Sequence, residues 1–383
     1  MQLSFLQPLF DRPGPWATVY FDPAQNDESG AKRRELSVRE ACRTLEEEGA
    51  DAATTEAVRD ALLRIGPAED PTGRVVFAAG GEVVLSHRLS RPPQRPIACW
   101  ASLPRLTPLL ELVGQDPVCL VAYIDRTGAD FELRGAAGPR SAGQVEGQQH
   151  PVHRTASSDW SERHFQLKVE NTWERNAGEI AEALSAAYEE SGADLVVLAG
   201  DPRERPSVHE RLTEAVRRVT TETEHGGRAA GSASALLEEA IEEARRRYTS
   251  HRVEEALDRF RAGRVGTDRS TEAVEGIPAL VEAAREHRID TLLVRPDGPE
   301  LDRETWVGSR PDQVAARRSD ARTLGVSDPA AVRADDALLR AAAVTAADVL
   351  VVPPADEDDT EATDIPTGGL GALLRWTYET TPA

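Results

Sequence analysis

The stretch VCLVAYIDRTGADFELRG at 118–135, followed by AAGPRSAGQVEGQQHPVHRTASSDWSERHF at 136–165, decides how this chain is read. Its first part holds two runs rich in β-branched, apolar and aromatic residues, 118–125 and 129–135. A Thr127-Gly128 turn joins them, which predicts a hairpin of two strands. Its second part shows neither a two-residue nor a 3.6-residue period over roughly thirty residues. Segments that long without structure of their own are unusual inside compact domains and commonly carry function. A helix over 166–190, an apolar strand ADLVVLAG at 193–200 and a helix ending near Val219 complete an α/β order.

The flanks follow the same grammar. On the N-terminal side, WATVYFDP (16–23) reads as a strand. Residues 30–48 read as an amphipathic helix with Val38, Ala41, Cys42 and Leu45 on one side. A second helix near 53–64 is capped by Asp51 or Thr54, GRVVFAAGGEVVLSHRL (73–89) is a hairpin, RPPQRP (91–96) a loop and LTPLLELVG (106–114) a short helix. On the C-terminal side, the small, glycine-rich EHGGRAAGSASA (224–235) is the best linker. Helices follow over 235–262, 270–288 and 333–346. IDTLLVRP (289–296), DVLVVPP (348–354) and GGLGALLRW (368–376) read as strands, and DEDDTEATD (356–364) as an exposed acidic insertion. The layout predicts three domains: an α+β domain at 1–115 and α/β domains at 116–228 and 229–383.

The 383 residues carry 45 basic and 66 acidic side chains, a formal charge of −21. Taken whole, that argues against a uniformly basic nucleic-acid binder and against DNA as a partner, because phosphate charge must be offset. Divided at the predicted boundaries, the charge is graded: 13 basic against 16 acidic, then 13 against 20, then 19 against 30. The excess is therefore heaviest in the last third. Cys42, Cys99 and Cys119 form no CxxC pair, which makes a disulfide framework or a structural zinc unexpected. No apolar run approaches membrane-spanning length, and MQLSFLQPLFDRPGPW lacks a basic leader. A cytoplasmic protein with no membrane partner is expected.

The segment after the hairpin concentrates unusual chemistry. From Arg134 to Lys168 it holds five cations (Arg134, Arg140, Arg154, Arg163, Lys168) against three acids, and three of the eight histidines. Cations contact phosphate, while imidazole and the indole of Trp160 stack on unpaired bases. Glycine lets backbone approach a nucleotide closely. A plain surface loop explains the same composition about as well. His150-x-x-His153 offers two metal ligands, but no cysteine or spaced carboxylate completes a site. In the first domain Lys32, Arg33, Arg34, Arg39 and Arg43 make a basic helix, and Arg88, Arg91 and Arg95 charge the proline-rich loop. A phosphate-contacting face and a solvated helix laced by Glu35–Arg39 and Arg43–Glu47 pairs both fit. Walker, GxGxxG, GxSxG and HExxH motifs are absent, and Asp125 with Asp130 lacks a third acid to hold magnesium. No cofactor is called for.

Six stretches resemble the bacterial relatives of the archaeal and eukaryotic release factors and Pelota: ATVYFD (17–22), AKRRE (31–35), YIDRTGADFEL (123–133), HPVHR (150–154), RHFQ (163–166) and GALLRW (371–376). They are most similar to the actinobacterial branch that includes the Balon-type hibernation factors. The resemblance implies an RNase H-like middle domain and a C-terminal domain like kink-turn-binding ribosomal proteins. It places the loop at 138–165 in the peptidyl-transferase centre, the first domain near the decoding centre and the last facing the GTPase-associated region. Release factors carry Gly-Gly-Gln in that loop. This sequence has Gly143-Gln144 and Gly147-Gln148-Gln149 instead.

Losing one glycine should misplace the glutamine against the ester. The resemblance therefore implies a factor that fills the vacant A site of the 70S ribosome, against 16S and 23S rRNA, without hydrolysis. Balon-type factors use a translational GTPase, elongation factor Tu. Its rRNA contacts would be Arg140, Gly143, Gln144, Gly147, Gln148, Gln149, His150, His153, Arg154, Trp160 and Arg163, with Lys32, Arg33, Arg34, Arg91 and Arg95 in the first domain. Two alternatives stay open: a peptidyl-tRNA hydrolase using Gln148 or Gln149, and an acidic stress protein that binds only protein.

Overall fold

The structure is a computed structural model that describes residues 3–23, 28–66, 72–114, 117–135, 138–146, 159–228, 234–264, 272–354 and 365–376, with backbone only at 4, 28–29 and 159–173. The chain forms two compact units, one of residues 1–115 together with 253–383 and one of residues 116–252. It is a mixed α/β protein with four sheets among the described residues.

The first unit opens with the short helix α1 (Gln7–Phe10) and strand β1 (Trp16–Phe21), buried at all six positions. The two-residue period of a strand splits β1 between two cores. Ala17, Val19 and Phe21 meet Val38, Cys42 and Leu45 of α2 (Glu28–Glu47) and Val58 and Leu62 of α3 (Ala52–Arg64). Trp16 and Tyr20 turn the other way, into the largest core. The predicted apolar side of α2 is the buried one, and Asp51 caps α3 by accepting the Thr54 N–H at 2.9 Å. The predicted hairpin is β2 (Arg74–Ala79) and β3 (Glu82–Arg88). A strand missing from the sequence reading, β4 (Ile97–Ala101), closes the antiparallel order β3-β2-β1-β4. Its five residues, IACWA, are all apolar, but none is fully buried, and so short a run directly after the proline-rich loop shows no apolar–polar alternation. Helix α4 (Thr107–Val113) follows.

The second unit is built on β5 (Cys119–Asp125), β6 (Gly128–Arg134), β7 (Arg140–Glu146), α5 (Asp159–Ser191), β8 (Leu195–Gly200), α6 (Glu204–His209), α7 (Glu214–Arg218), β9 (Thr220–Thr223) and the start of α8 (Ala235–Arg264). Its sheet runs β7-β6-β5-β8-β9, antiparallel among β5, β6 and β7 and parallel among β5, β8 and β9. One face packs on Ala177, Ile180 and Leu184 of α5 with Val208 and Val216, and the other on Leu237, Ile241 and Ala244 of α8. Two expectations are corrected here. The segment after Ala136 is not without regular structure: β7 and the early start of α5 occupy both its ends. The helix expected to end near Val219 is two short helices followed by β9.

From Val253 onward α8 belongs to the first unit, where Val253, Ala256 and Phe260 enter a core with Leu293, Leu350 and Leu373. Then come β10 (Ala273–Glu275), α9 (Ile277–Arg285), β11 (Ile289–Val294), β12 (Glu304–Val307), β13 (Val314–Ala315), α10 (Arg318–Thr323), β14 (Ala330–Arg333), α11 (Ala334–Val344), β15 (Asp348–Val351) and β16 (Leu370–Leu374). The helix expected over 270–288 is instead β10 and then α9, whose first turn holds Pro278 after Gly276. β10, β16, β11 and β15 form one sheet in that order, and β13-β12-β14 a small second one that the sequence reading left unassigned. Leu280, Leu338 and Leu339 of α9 and α11 share the core of Trp16, Tyr20 and Leu106. Residues from the N-terminal and C-terminal thirds of the sequence thus share one core. The acidic run at 356–364 lies outside the described residues.

Candidate functional site

β6 and β7 form the stem from which the chain departs at Glu146, to return at the first turn of α5. β7 is an edge strand. Five of its seven positions are exposed, and only Ala142 and Val145 are half-buried, leaning on the core. Asp130 pairs with Gln144 and Phe131 with Gly143, and the register shifts just beyond, between Phe131 and Glu132. Gly143 sits at φ +129°, in the region that favours glycine and suits a bulge. At the turn, a Cβ on Gly128 would stand 2.0 Å from the Val145 carbonyl oxygen, so only glycine lets β7 lie this close.

The end of the sheet below the departing chain is held by one arginine. The Arg228 guanidinium donates from Nε and Nη2 to the two oxygens of Asp130 at 3.1 and 3.2 Å. From Nη1 it reaches Asp125 Oδ1 at 3.1 Å. Asp125 also accepts the Thr127 N–H and hydroxyl, both at 2.7 Å. Burial pushes the Asp125 carboxyl up, but the Thr127 and Arg228 hydrogen bonds outweigh it and hold the carboxyl below its ordinary range. Asp130 raises Arg228 in return.

Nearby, Asn176 of α5 donates to the Arg126 carbonyl at 3.0 Å, and Arg126 Nε lies 3.5 Å from Asp201. Glu204 is buried beside them and its carboxyl is pushed up, by burial first and by Asp201 next. Guanidinium groups thus take the charge that a divalent ion would neutralise between such carboxylates. No His, Cys, Asp or Glu group among the described residues is arranged to hold a metal.

Beside the stem, a cleft of about 230 Å³ is lined by Tyr123, Asp130, Glu132, Pro139, Arg140 and Gln144, among others. Arg134, counted among the segment's cations, is engaged structurally: it donates to both oxygens of Glu238 at 2.8 Å, pairs with Glu132 and donates to the Tyr123 hydroxyl at 3.0 Å. Arg140 and Gln144 are exposed, and Arg140 has no carboxylate partner among the described residues. What the stem offers chemically is a fixed, hydrogen-bonding edge with an exposed cation.

The predicted contact residues separate into groups. Arg140, Gly143 and Gln144 are brought together on β7. Trp160 and Arg163 lie in the first turns of α5, and Gly147, Gln148, Gln149, His150, His153 and Arg154 lie outside the described residues. In the other unit, Lys32, Arg33 and Arg34 sit on α2, the first two exposed, and exposed Arg91 and Arg95 on the connection between β3 and β4. On α2 the pairs Arg39–Glu35 at 3.1 Å and Arg43–Glu47 at 3.7 Å both form, so those two arginines are partly neutralised. The sequence reading missed Arg228, which it placed in a linker. The only signal was a lone arginine closing a glycine pair, and its partners lie about a hundred residues away.

The model of bacterial archaeo-eukaryotic release factor family 2 matches residues 118–265. That span runs from the start of β5 through α8 and includes the stem. It bears out the resemblance to bacterial relatives of the archaeal and eukaryotic release factors, and does not distinguish a Balon-type branch. The uncharacterized protein Rv2629 of Mycobacterium tuberculosis is 29% identical over 384 residues, covering 98% of this chain and 97% of that protein. Among solved structures, Archaeoglobus fulgidus Pelota matches at 13% identity and a TM-score of 0.34 over 80% of each chain. Archaeal Pelota in a ribosome-bound form with ABCE1 matches at 13% identity and a TM-score of 0.41 over 98% of this chain and 95% of that one. No helix among the described residues is long and apolar enough to cross a membrane.

Proposed function

We propose that this chain is a ribosome-associated translation factor that fills the vacant A site of the 70S ribosome in the cytoplasm and blocks the peptidyl-transferase centre without hydrolysing peptidyl-tRNA. The observation that carries the reading is the release-factor-family match over the unit that presents the 138–165 segment, in a sequence that lacks Gly-Gly-Gln there. The strand order β7-β6-β5-β8-β9 supports an RNase H-like scaffold for that segment. Arg140 and Gln144 on the stem, with the segment's histidines and arginines, would contact 23S rRNA. Lys32, Arg33, Arg34, Arg91 and Arg95 would face 16S rRNA. Gly143-Gln144 is held in the β6–β7 ladder, which favours a contact over a mobile hydrolytic tip. Residues 1–115 would act on the decoding side, 229–383 toward the GTPase side, where elongation factor Tu is the partner to try.

Sedimentation with vacant 70S ribosomes tests the reading. Co-sedimentation is expected at low salt and, more weakly, at moderate salt. Its absence at both would end it. Ribosomes carrying labelled peptidyl-tRNA separate blocker from hydrolase: peptide release abolished in Gln148→Ala or Gln149→Ala would move the assignment to the enzyme.

A further inference from the structure

Four arginines among the described residues are more than nine-tenths buried: Arg205, Arg288, Arg295 and Arg340. The first three each keep a carboxylate within 4 Å, namely Glu222 at 3.9 Å, Glu286 at 3.5 Å and Asp297 at 3.2 Å. Arg340, on α11 and only 5% exposed, has none among the described residues. Its Nη1 and Nη2 donate to the carbonyls of Gly308 and Arg310, at 3.1 and 3.3 Å, and its Nε is buried with no partner among the described residues. Carbonyl dipoles satisfy two of five N–H groups, and Asp312, the carboxylate whose field reaches the guanidinium, is itself paired with Arg310 at 3.1 Å. A buried charge without a counter-ion is among the most costly arrangements a fold can keep. Burial pulls the Arg340 guanidinium down to about 10, and Asp312 opposes only part of that. It therefore stays cationic at neutral pH.

This side chain borders a cavity of about 240 Å³ within the first unit. Trp16, Phe10 and Pro15 supply apolar wall. Arg12, Ser102 and Ser309 supply polar groups, and the two serine hydroxyls have no hydrogen-bond partner among the described residues. Arg12 is already paired with Glu82 at 2.7 Å, and Asp328 at the rim is nearly fully exposed. We infer that this cavity is a binding site for a small oxyanion, a phosphate or carboxylate group on a compact ligand, with Arg340 as its charge partner and the Ser102 and Ser309 hydroxyls as donors. The volume is too small for a nucleotide and ample for a phosphate with a few attached atoms. Neither the stem of the second unit nor the ribosome reading enters this inference.

Isothermal titration of the full chain with inorganic phosphate, and separately with acetate, in a buffer free of both, tests it. Saturable binding of phosphate or acetate by the native chain is expected, with affinity at least tenfold weaker in Arg340→Met and in Ser309→Trp. The tighter of the two ions identifies the class of group. Ser309 is exposed at the cavity's edge, so its bulky replacement closes the entry while the Arg340 side chain itself is kept, and decides the matter alone if Arg340→Met does not fold. No saturable binding of either ion by the native chain, or binding unchanged in Ser309→Trp, would overturn the inference.

Discussion

Replacing Arg105 by alanine should loosen the joint between the N-terminal and C-terminal thirds of the sequence, by an amount that depends on pH. Asp335 and Asp336 stand next to each other in the first turn of α11, with side chains 0% and 5% exposed. Arg105 Nη1 lies 3.4 and 3.3 Å from them, the Leu106 N–H donates to Asp336 at 2.9 Å and the Thr107 hydroxyl to Asp335 at 2.7 Å. Arg333 also holds Asp335, at 3.0 and 3.1 Å, so Asp336 is the carboxylate that loses its only cation among the described residues. Removing one partner of a buried pair costs about 3–5 kcal/mol, and Arg105's partial exposure puts the expectation near the lower end, roughly 3 kcal/mol.

Burial, reinforced by Asp335, raises Asp336 to about 7, while Arg105 opposes that rise. The unfolded carboxyl titrates near 3.9. Folding therefore takes up a proton in that interval, and this group's contribution is full below the unfolded value and lost as pH rises through 7. Without Arg105 the carboxyl rises further and the loss steepens. Urea unfolding followed by tryptophan fluorescence should show a gap of roughly 3 kcal/mol at pH 8 that narrows by about 1 kcal/mol at pH 5, near the most that a carboxyl titrating near 7 can shed over that interval. Adding Asp336→Asn should recover much of the loss at pH 8. A gap under about 0.5 kcal/mol at pH 8, or the same gap at both pH values, would refute the reasoning.

Other outcomes follow from the same structure. Asp51→Ala should cost about 0.5–2 kcal/mol by removing the α3 cap. Thr54 hydrogen bonds hold the Asp51 carboxyl below its usual range, so the difference from native protein should fade as pH drops through that lowered value, in unfolding curves at pH 7 and pH 3. Leu184→Ala, at a fully buried position between α5 and the sheet, should cost about 2–5 kcal/mol in urea unfolding, and a cost under about 1 kcal/mol would mean the site collapses. Arg228→Met should leave overall stability little changed, since Asp125 and Asp130 are each about two-fifths exposed, yet raise amide exchange at 125–130 and 144–146. Equal exchange in both proteins would remove Arg228 from its positioning role. Replacing Arg140, His150, His153 and Arg154 together should weaken ribosome co-sedimentation and its salt dependence, whereas the protein-binding alternative predicts no change.

What the sequence made legible follows burial. β1, β5 and β8 are apolar on both faces and stand out as continuous runs, and α2 announces its inner side through Val38, Ala41, Cys42 and Leu45. β7 and β9 are short or solvent-facing, so their pairing rests on backbone hydrogen bonds that leave no pattern in side chains, while β4, though apolar throughout, is only five residues long and follows a proline-rich loop. The acidic pair at 335–336 reads locally as ordinary helix-start acids, and only the fold, bringing in Arg105 from 230 residues away, turns it into a buried joint. Arg228 and Arg340 were invisible for the same reason: an arginine's role is set by which charges the tertiary structure puts beside it. In the candidate site, residue chemistry singled out Arg140, Gly143 and Gln144 one by one, but not that they share an edge strand of the stem.

Chemical footprinting of rRNA in vacant 70S ribosomes tests the A-site assignment most directly. Bound protein should protect bases at both the decoding centre of 16S rRNA and the peptidyl-transferase centre of 23S rRNA, with the second set lost when Arg140, His150, His153 and Arg154 are replaced together. Protection confined to the ribosome's outer surface, with both centres as reactive as in empty ribosomes, would contradict the account.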